Sequence, residues 1–496
     1  MIIWVLLIPI AAAAAFWAVR AKRWMHLINT VSAGILLILA LLISSKVIQT
    51  GHITLPFLNN IFYLDALSVL MLDLILGVYF LVAVYLIGYL NEEYRQQVIT
   101  LRRMKMFYSL TCCFIFSVIL ALTTQNLGIM WIAIEATTLS SALLVGLYNN
   151  REAVEAAWKY VIICSVGIAL ALLGIVFLYI SAVNVFAESH FNLNWAFLTE
   201  NATSLHGSIL KIAFIFILVG YGTKAGLAPM HTWLPDAYTL SPSPISALLS
   251  GVLSSSAIYA VIRVLTIVNK NLGSNIYTGN LLIAVGIISV AAAAIFMLTQ
   301  RDYKRLLAYS SIEHLGIITL GLGIFTPTAI FGSLFHILNH ALTKSLLFLG
   351  AGSVHLKYKS REIGKVTGLL KALPITGIVF LLGLFAIAGT PPFSIFASEI
   401  SIIISSFTAN YWLAGAALVV FVAIVFTGIA FTALKMFYVS PTADPALSPS
   451  PGEPNMLGAV TILGLLLIIA ITGIYLPGPV KQLLDSATRI VTSGVG

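Results

Sequence analysis

Residues Ile209–Pro229 read ILKIAFIFILVGYGTKAGLAP, a run that is apolar apart from Lys211 at its start and Lys224 deep within it. A helix that starts near Ser208 carries Lys224 roughly 24 Å along its axis, well inside a hydrocarbon layer about 30 Å thick. An ammonium at that depth costs roughly 2.5–3.5 kcal/mol on insertion scales, so it must face protein or water and have a partner. Gly226, Pro229 and Pro235 follow closely and interrupt regular helix. A charge beside broken helix at membrane depth is the arrangement expected of an ion pathway. The competing reading is a lysine near a helix end that snorkels to the headgroups, and the rest of the chain must decide between them.

The 496 residues are 60% hydrophobic and only 9% charged, with a mean hydropathy of +1.04. Apolar runs of about 18 or more residues recur along the whole length, which excludes a soluble domain. A β-barrel would alternate with period two over short segments. The fold class is therefore an all-α polytopic membrane protein. Its formal charge of +9 is no nucleic-acid footprint, because the basic residues gather in short connecting loops, as membrane orientation requires. Cys112, Cys113 and Cys164 lie in apolar runs without metal-type spacing and read as small core residues. The opening MIIWVLLIPIAAAAAFWAV has no cation before it and Arg20, Lys22 and Arg23 after it. That polarity suits a first spanning helix better than a cleaved signal peptide.

The apolar runs predict about fourteen spanning helices, near residues 2–19, 25–45, 63–90, 105–124, 127–147, 156–183, 208–229, 241–268, 278–299, 305–325, 328–352, 368–390, 411–438 and 456–476. A short piece, Phe393–Phe407, follows Pro391–Pro392, so the twelfth span reads as broken, like the seventh. Loops after odd-numbered helices carry Arg20, Lys22 and Arg23; Arg95, Arg102, Arg103 and Lys105; Arg151; Arg301, Lys304 and Arg305; and Lys357, Lys359, Arg361, Lys365 and Lys371. Those after even-numbered helices hold little beyond Lys46 and Lys270. This alternation places both termini on the side opposite the cytoplasm. Pro441–Asn455 reads as a flexible cytoplasmic linker, and Asn184–Leu205 as a polar outer loop. No extramembrane segment is large enough for a flavin, an iron–sulfur cluster or a nucleotide, and there is no GxGxxG after a strand, no P-loop and no CxxC.

Further ionisable groups resemble Lys224. Glu135 falls about 12 Å into the fifth helix, where a carboxylate must be protonated or paired; Lys224, two helices on, is its natural partner. The pair reads either as part of an ion path or as a structural bridge that fixes packing. His336, His340 and Lys344 share one face of the eleventh helix through their four-residue spacing, as a proton relay would require; histidines hydrogen-bonded in the core are the competing reading. No glutamate follows the first histidine as in HExxH, so this spacing argues against a metal. Glu399 follows the double proline, and Glu313 and His314 lie in the tenth helix. Lys159 and Lys211, near the starts of helices six and seven, read as relay members or interface anchors; Asp65 and Asp73 in the third span read as structural. Paired broken helices suggest an inverted repeat. Residues 1–104 then hold helices one to three, 105–268 a first repeat, 278–438 the second, and 439–496 a linker, the last helix and a short tail.

The segment GYGTKAGLAPMHTWLPDAYTLSPSPISALLSGVL resembles the signature of the antiporter-like subunits of complex I, of multisubunit cation/proton antiporters and of energy-converting hydrogenases. RDYKRLLAYSSIEHLGIITLGLG and NHALTKSLLFLGAGSV resemble two further segments of that family, and the resemblance covers nearly the whole chain. EATTLSSALLVGLYNNREAVEAAWKYVIICSVGIALALLG is most similar to the hydrogenase-4 component F branch. The resemblance implies fourteen helices with two inverted five-helix units. It also implies a glutamate on helix five paired with a lysine on broken helix seven (Glu135 and Lys224), a lysine on helix eleven (Lys344, preceded by His340) and a charge on broken helix twelve (Glu399). Ser255 stands where many relatives carry a lysine on helix eight, which interrupts the line of charge there. Glu313 beside His314 is a second departure, and the missing long lateral helix of the largest complex I member a third.

The function so implied is proton translocation along intramembrane Glu, Lys and His groups, in a redox-driven complex of hydrogenase-4 or formate hydrogenlyase type in the prokaryotic cytoplasmic membrane. The expected chain is a transport subunit without a redox centre, metal or cofactor of its own. A nickel–iron centre and iron–sulfur clusters belong to partner subunits, beside other antiporter-like and quinone-site-like membrane subunits and a peripheral hydrogenase or dehydrogenase arm. A sodium/proton antiporter subunit, a complex I-like NADH/quinone oxidoreductase subunit and an inert anchor are the alternatives.

Overall fold

The structure is a computed structural model that describes residues 1–55, 60–183, 185, 193–438 and 450–493. Most of the expected linker, 441–449, and much of the expected outer loop, 184 and 186–192, lie outside the described residues. Helices α1 (Ile2–Ala18) and α2 (Lys22–Thr50) lead to an antiparallel ribbon of β1 (His52–Leu55) and β2 (Phe62–Asp65), with His52 opposite Asp65. Then come α3 (Ala66–Arg95), α4 (Leu101–Thr123), α5 (Leu127–Val145), α6 (Arg151–Val183), the short α7 (Trp195–Glu200), α8 (Gly207–Ala225), α9 (Trp233–Leu240), α10 (Ser243–Leu248) and α11 (Ser254–Leu272). The second half holds α12 (Ile276–Met297), α13 (Tyr303–Ile324), α14 (Pro327–Tyr358), the single turn α15 (Leu369–Ala372), α16 (Pro374–Ile387), α17 (Ser394–Thr408), α18 (Trp412–Tyr438), α19 (Met456–Ile474) and α20 (Gly478–Thr492).

Helix starts carry their signals in the sequence. Asp65 caps α3 by accepting from the Ser68 amide at 2.9 Å, and Asn126 caps α5 by accepting from the amides of Gly128 and Ile129. Thr326 caps α14, with Pro327 at the first helical position, where a missing N–H costs nothing. Among the described residues, eleven helices (α10 and α11 counted as one) are long and apolar enough to cross a membrane, and α1, α16 and α17 are shorter apolar helices. The 32-residue α14 falls below that apolarity because its buried positions include Ser333, His336, Asn339, His340, Thr343, Lys344 and Ser345.

One expectation needs correction. Asp65 does not lie within the third span: the chain is strand through Asp65, which then caps α3. The short tail after the last apolar run holds α20, which buries Leu483, Leu484, Ala487 and Val491 and packs on α3 and α14.

Burial sorts the helices into layers. The α10–α11 stretch and α13 are buried along their whole apolar length, whereas α1, α2, α6 and α18 display Trp4, Ile38, Trp158, Val166 and Leu413 outward, as a lipid-facing shell would. Small residues allow the closest inner approaches. A methyl group on Gly220 of α8 would collide with Ala171 of α6, and one on Gly316 of α13 with the Gly286 carbonyl of α12.

The two expected breaks are present. After α8, Gly226 takes φ +100, and Trp233 donates from Nε1 to the Thr223 carbonyl at 2.8 Å. The Ala228 amide is satisfied by Ser289 Oγ at 2.9 Å. After α16, Gly389 takes φ +69, and Asn339 Nδ2 donates to the Ser394 carbonyl at 2.8 Å. Side chains from neighbouring helices thus satisfy backbone groups that a bilayer would leave unpaired. Between α10 and α11, Leu249–Leu253 forms a π-helical turn, and the Leu249 carbonyl accepts from Tyr238 OH at 3.0 Å.

Candidate functional site

The break after α8 fixes the first centre. Lys224 is fully buried on the last turn of α8. Its Nζ donates to Thr138 Oγ1 at 2.7 Å and to Tyr160 OH at 2.9 Å, and it lies 5.0 Å from the centroid of the Tyr160 ring. Glu135, half-buried one turn before Thr138 on α5, accepts from Thr138 Oγ1 at 2.9 Å and from Ser165 Oγ of α6 at 2.9 Å. Lys224 and Glu135 therefore do not meet in the direct pair expected from their types; Thr138 stands between them. Tyr160 extends the chain of hydroxyls to Ser141 Oγ at 2.8 Å.

The second centre gathers α13, α14 and α17. Lys344 is fully buried and donates to the Leu307 carbonyl at 2.8 Å and to Ser310 Oγ at 2.6 Å. One and two turns earlier on α14, His340 and His336 face His314 of α13. The His314 and His340 ring centroids are 5.6 Å apart, and His314 Nδ1 is 3.0 Å from His336 Nε2. His336 Nδ1 is 2.9 Å from Ser398 Oγ. Glu399 reaches in from α17 behind the second break, its Oε1 3.7 Å from His314 Nδ1. Glu313 Oε2 lies 3.9 Å from His314 Nε2. All five ionisable groups around Lys344 are buried. His314, His336 and Glu399 hold one ligand atom each within 4.8 Å of one another, a cross-helix grouping that the spacing along α14 does not reveal.

Between the centres, Ser255 donates to its own helix at the Gly251 carbonyl, 2.8 Å away, and bears no charge. Hydroxyls line the region instead. Tyr238 OH lies 3.0 Å from Ser254 Oγ, and Ser250 Oγ lies 3.0 Å from Ser311 Oγ, next to the serine that holds Lys344.

Neither Lys159 nor Lys211 joins this buried line. Lys159 is half exposed and pairs with Glu155 at 2.8 Å and Asp236 at 3.3 Å. Asp236 also binds Arg305 at 2.8 Å, so the cluster clamps α6, α9 and α13 at their basic ends. Lys211 is exposed at the start of α8, over the Tyr277 ring at 5.4 Å. The same basic end opens into a cavity of about 480 Å³ lined by Tyr89, Tyr148, Ser241, Lys304, His355 and Arg361. At its edge, burial pushes the Asp302 carboxyl up against the opposing pull of Arg361. Thr138, Tyr160, Ser165, Ser310 and Ser398 are the site residues that the sequence reading passed over.

Residues 124–427 match the model of the NADH:quinone oxidoreductase/Mrp antiporter transmembrane family. The hydrogenase-4 component F homolog of Methylacidiphilum infernorum is 37% identical over 424 residues, 86% of this chain and 87% of the relative. A Na(+)/H(+) antiporter subunit of Alkalihalophilus pseudofirmus is 30% identical over 60% of this chain and 59% of its own. Among solved structures, a chain of the membrane-bound sulfane sulfur reductase, an archaeal respiratory membrane complex, has the same fold with a TM-score of 0.86 at 24% identity; the likeness covers 100% of this chain and 99% of that one. Both centres fall within the matched residues, and the chain belongs to the NADH:quinone oxidoreductase/Mrp antiporter transmembrane family.

Proposed function

We propose that this chain is a proton-translocating membrane subunit of a redox-driven complex of the hydrogenase-4 type. The observation that carries this reading is the pair of buried ammonium groups, Lys224 and Lys344, each held by hydroxyls and followed by a carboxylate at a broken or neighbouring helix. Such groups are costly in a bilayer and have no packing role that an apolar residue could not fill. The long likeness to a hydrogenase-4 component F homolog supports the hydrogenase assignment. Protons pass from the basic end to the Lys224 centre and along the Tyr238, Ser254, Ser250 and Ser311 hydroxyls to Lys344, then through the histidines to Glu399. Electron transfer in partner subunits, which hold the nickel–iron and iron–sulfur groups, drives the Glu135–Thr138–Lys224 switch. The two halves, helices four to eight and nine to thirteen of about fourteen, form inverted repeats, and both termini lie on the outer face of a prokaryotic cytoplasmic membrane.

The test is proton uptake by proteoliposomes carrying the purified complex. Lys224→Ala and Glu135→Gln are expected to abolish uptake while the complex stays assembled, and normal uptake in either variant sinks the proposal. A nickel–iron large subunit should co-purify. The likeness to a Na(+)/H(+) antiporter component favours a second reading, sodium/proton exchange without a redox partner. Sodium-dependent exchange in a preparation free of nickel and iron would establish that reading instead.

A further inference from the structure

The geometry points to a binding site for one divalent transition-metal ion of the zinc class, formed by His314, His336 and Glu399. The ligand atoms come from three helices, Nδ1 of His314 on α13, Nε2 of His336 on α14 and Oε1 of Glu399 on α17. A tetrahedral zinc with bonds of about 2.0–2.2 Å holds its ligand atoms about 3.3–3.5 Å apart. The two nitrogens are 3.0 Å apart and the carboxylate oxygen is 3.7 Å from His314, so the observed spacings bracket that value. All three side chains are buried, and their three ligand atoms lie within 4.8 Å of one another.

The groups behind the ligands are of the kinds a metal site uses. A ligating histidine is normally held through its other ring nitrogen, and a carboxylate or hydroxyl there fixes the ring. His336 Nδ1 has Ser398 Oγ at 2.9 Å, and Ser398 is itself tied to Asn339 at 3.2 Å. His314 Nε2 has Glu313 Oε2 at 3.9 Å; neither atom has a hydrogen-bond partner among the described residues. His340, whose ring centroid lies 5.6 Å from that of His314, has its Nε2 without a partner among the described residues. Two imidazoles with one carboxylate select zinc or its neighbours over magnesium, calcium or sodium, which take oxygen sets. Entry is through the second break. A methyl group on Gly389 would fall on Oε2 of Glu399, and Pro391 and Pro392 beside it are exposed on the chain surface.

Metal binding itself does not depend on the transport reading. Where that reading holds, the ion occupies both facing ring nitrogens, and the proton they share in their hydrogen bond leaves to solvent as it binds; the histidines can then no longer pass a proton, so zinc stops proton uptake.

The full chain in detergent, stripped with chelator, is titrated with cobalt chloride and then zinc chloride. One cobalt per chain, with the visible bands of a tetrahedral site and displacement by zinc, is expected. His336→Gln and Glu399→Gln should each weaken binding at least about tenfold, and Ser398→Ala about tenfold. His26→Gln, far away on α2, should leave the titration unchanged. Thermal unfolding of each variant is followed in parallel, and because the substitutions fall on separate helices, a variant that does not fold leaves the others to decide. No binding by the unaltered chain, or equal binding by the folded His336 and Glu399 variants, overturns the site. Zinc binding without any effect on proton uptake keeps the site and counts against the proposed path.

Discussion

Lys224 reaches the carboxylate of Glu135 through one hydroxyl, that of Thr138, which accepts from the ammonium at 2.7 Å and donates to the carboxylate at 2.9 Å. A direct buried pair would hold its two charges together; a bridge lets either partner change state while the other stays in place. Thr138→Val keeps the shape and removes the bridge. A hydrogen bond to a charged group contributes about 1.5–3 kcal/mol, so proton uptake by proteoliposomes should fall at least about tenfold. Thr138→Ser restores the hydroxyl and should keep uptake near that of the parent. Equal uptake by the valine and serine variants would show that the bridge is dispensable.

Gly220 sets how closely α8 can lie on α6, since any Cβ there overlaps the backbone and methyl of Ala171. Tyr160, which holds Lys224, is on that same α6. Gly220→Val should push the helices apart and lower stability by about 1–3 kcal/mol or more, seen as a lower thermal midpoint in detergent. Gly464→Ala on α19, where nothing lies within 4 Å, should shift the midpoint little.

The positions of the two centres are legible in the sequence because an ionisable group inside an apolar run is costly and stands out. That argument reaches Lys224, Glu135, His336, His340, Lys344 and Glu399. It does not reach Thr138, Ser310 or Ser398. A hydroxyl in an apolar helix commonly bonds its own carbonyl at i−4, as Ser345 does with Ala341 at 2.7 Å. No local signal separates such residues from those that turn toward a neighbour's charge. Nor can spacing give the depth of a lysine near a helix start, and so Lys159 and Lys211 read as relay candidates until their own exposure is seen. The helix α20 escapes because GPVKQLLDSATRIVT is amphipathic and makes no apolar run. The grouping of His314, His336 and Glu399 joins three helices and is a property of packing alone.

Gly389 makes the second break depend on one residue. Its φ of +69 belongs to the left-handed region that glycine enters at no steric cost, and any Cβ there would fall on the Glu399 carboxylate. Gly389→Ala should therefore displace Glu399 and reduce proton uptake about as far as Glu399→Gln does. The glutamate is kept, so a deficit in the alanine variant reports its position rather than its charge. Uptake equal to the parent's would show that Glu399 tolerates displacement.

At the ribbon end, Arg263 of α11 grips Asp65 with its two terminal guanidinium nitrogens, Nη1 and Nη2, at 2.8 and 2.5 Å, and donates from Nη2 to Ser68 Oγ at 2.8 Å. It also lies over the Trp195 ring at 3.8 Å and the Tyr259 ring at 4.9 Å. Both partners are buried. Asp65→Asn leaves the guanidinium uncompensated and should destabilise the chain by about 3–5 kcal/mol, whereas replacing both partners with apolar residues of similar volume is often near neutral. The pair Asp65→Leu with Arg263→Met should therefore recover much of the thermal midpoint lost in Asp65→Asn. The recovery will be incomplete by the share of Arg263 that stacks on Trp195 and Tyr259, roughly 0.5–2 kcal/mol for a cation over an aromatic face. Should the double variant unfold no later than Asp65→Asn, the ion pair is a net stabiliser of the ribbon end and not merely a charge that must be answered.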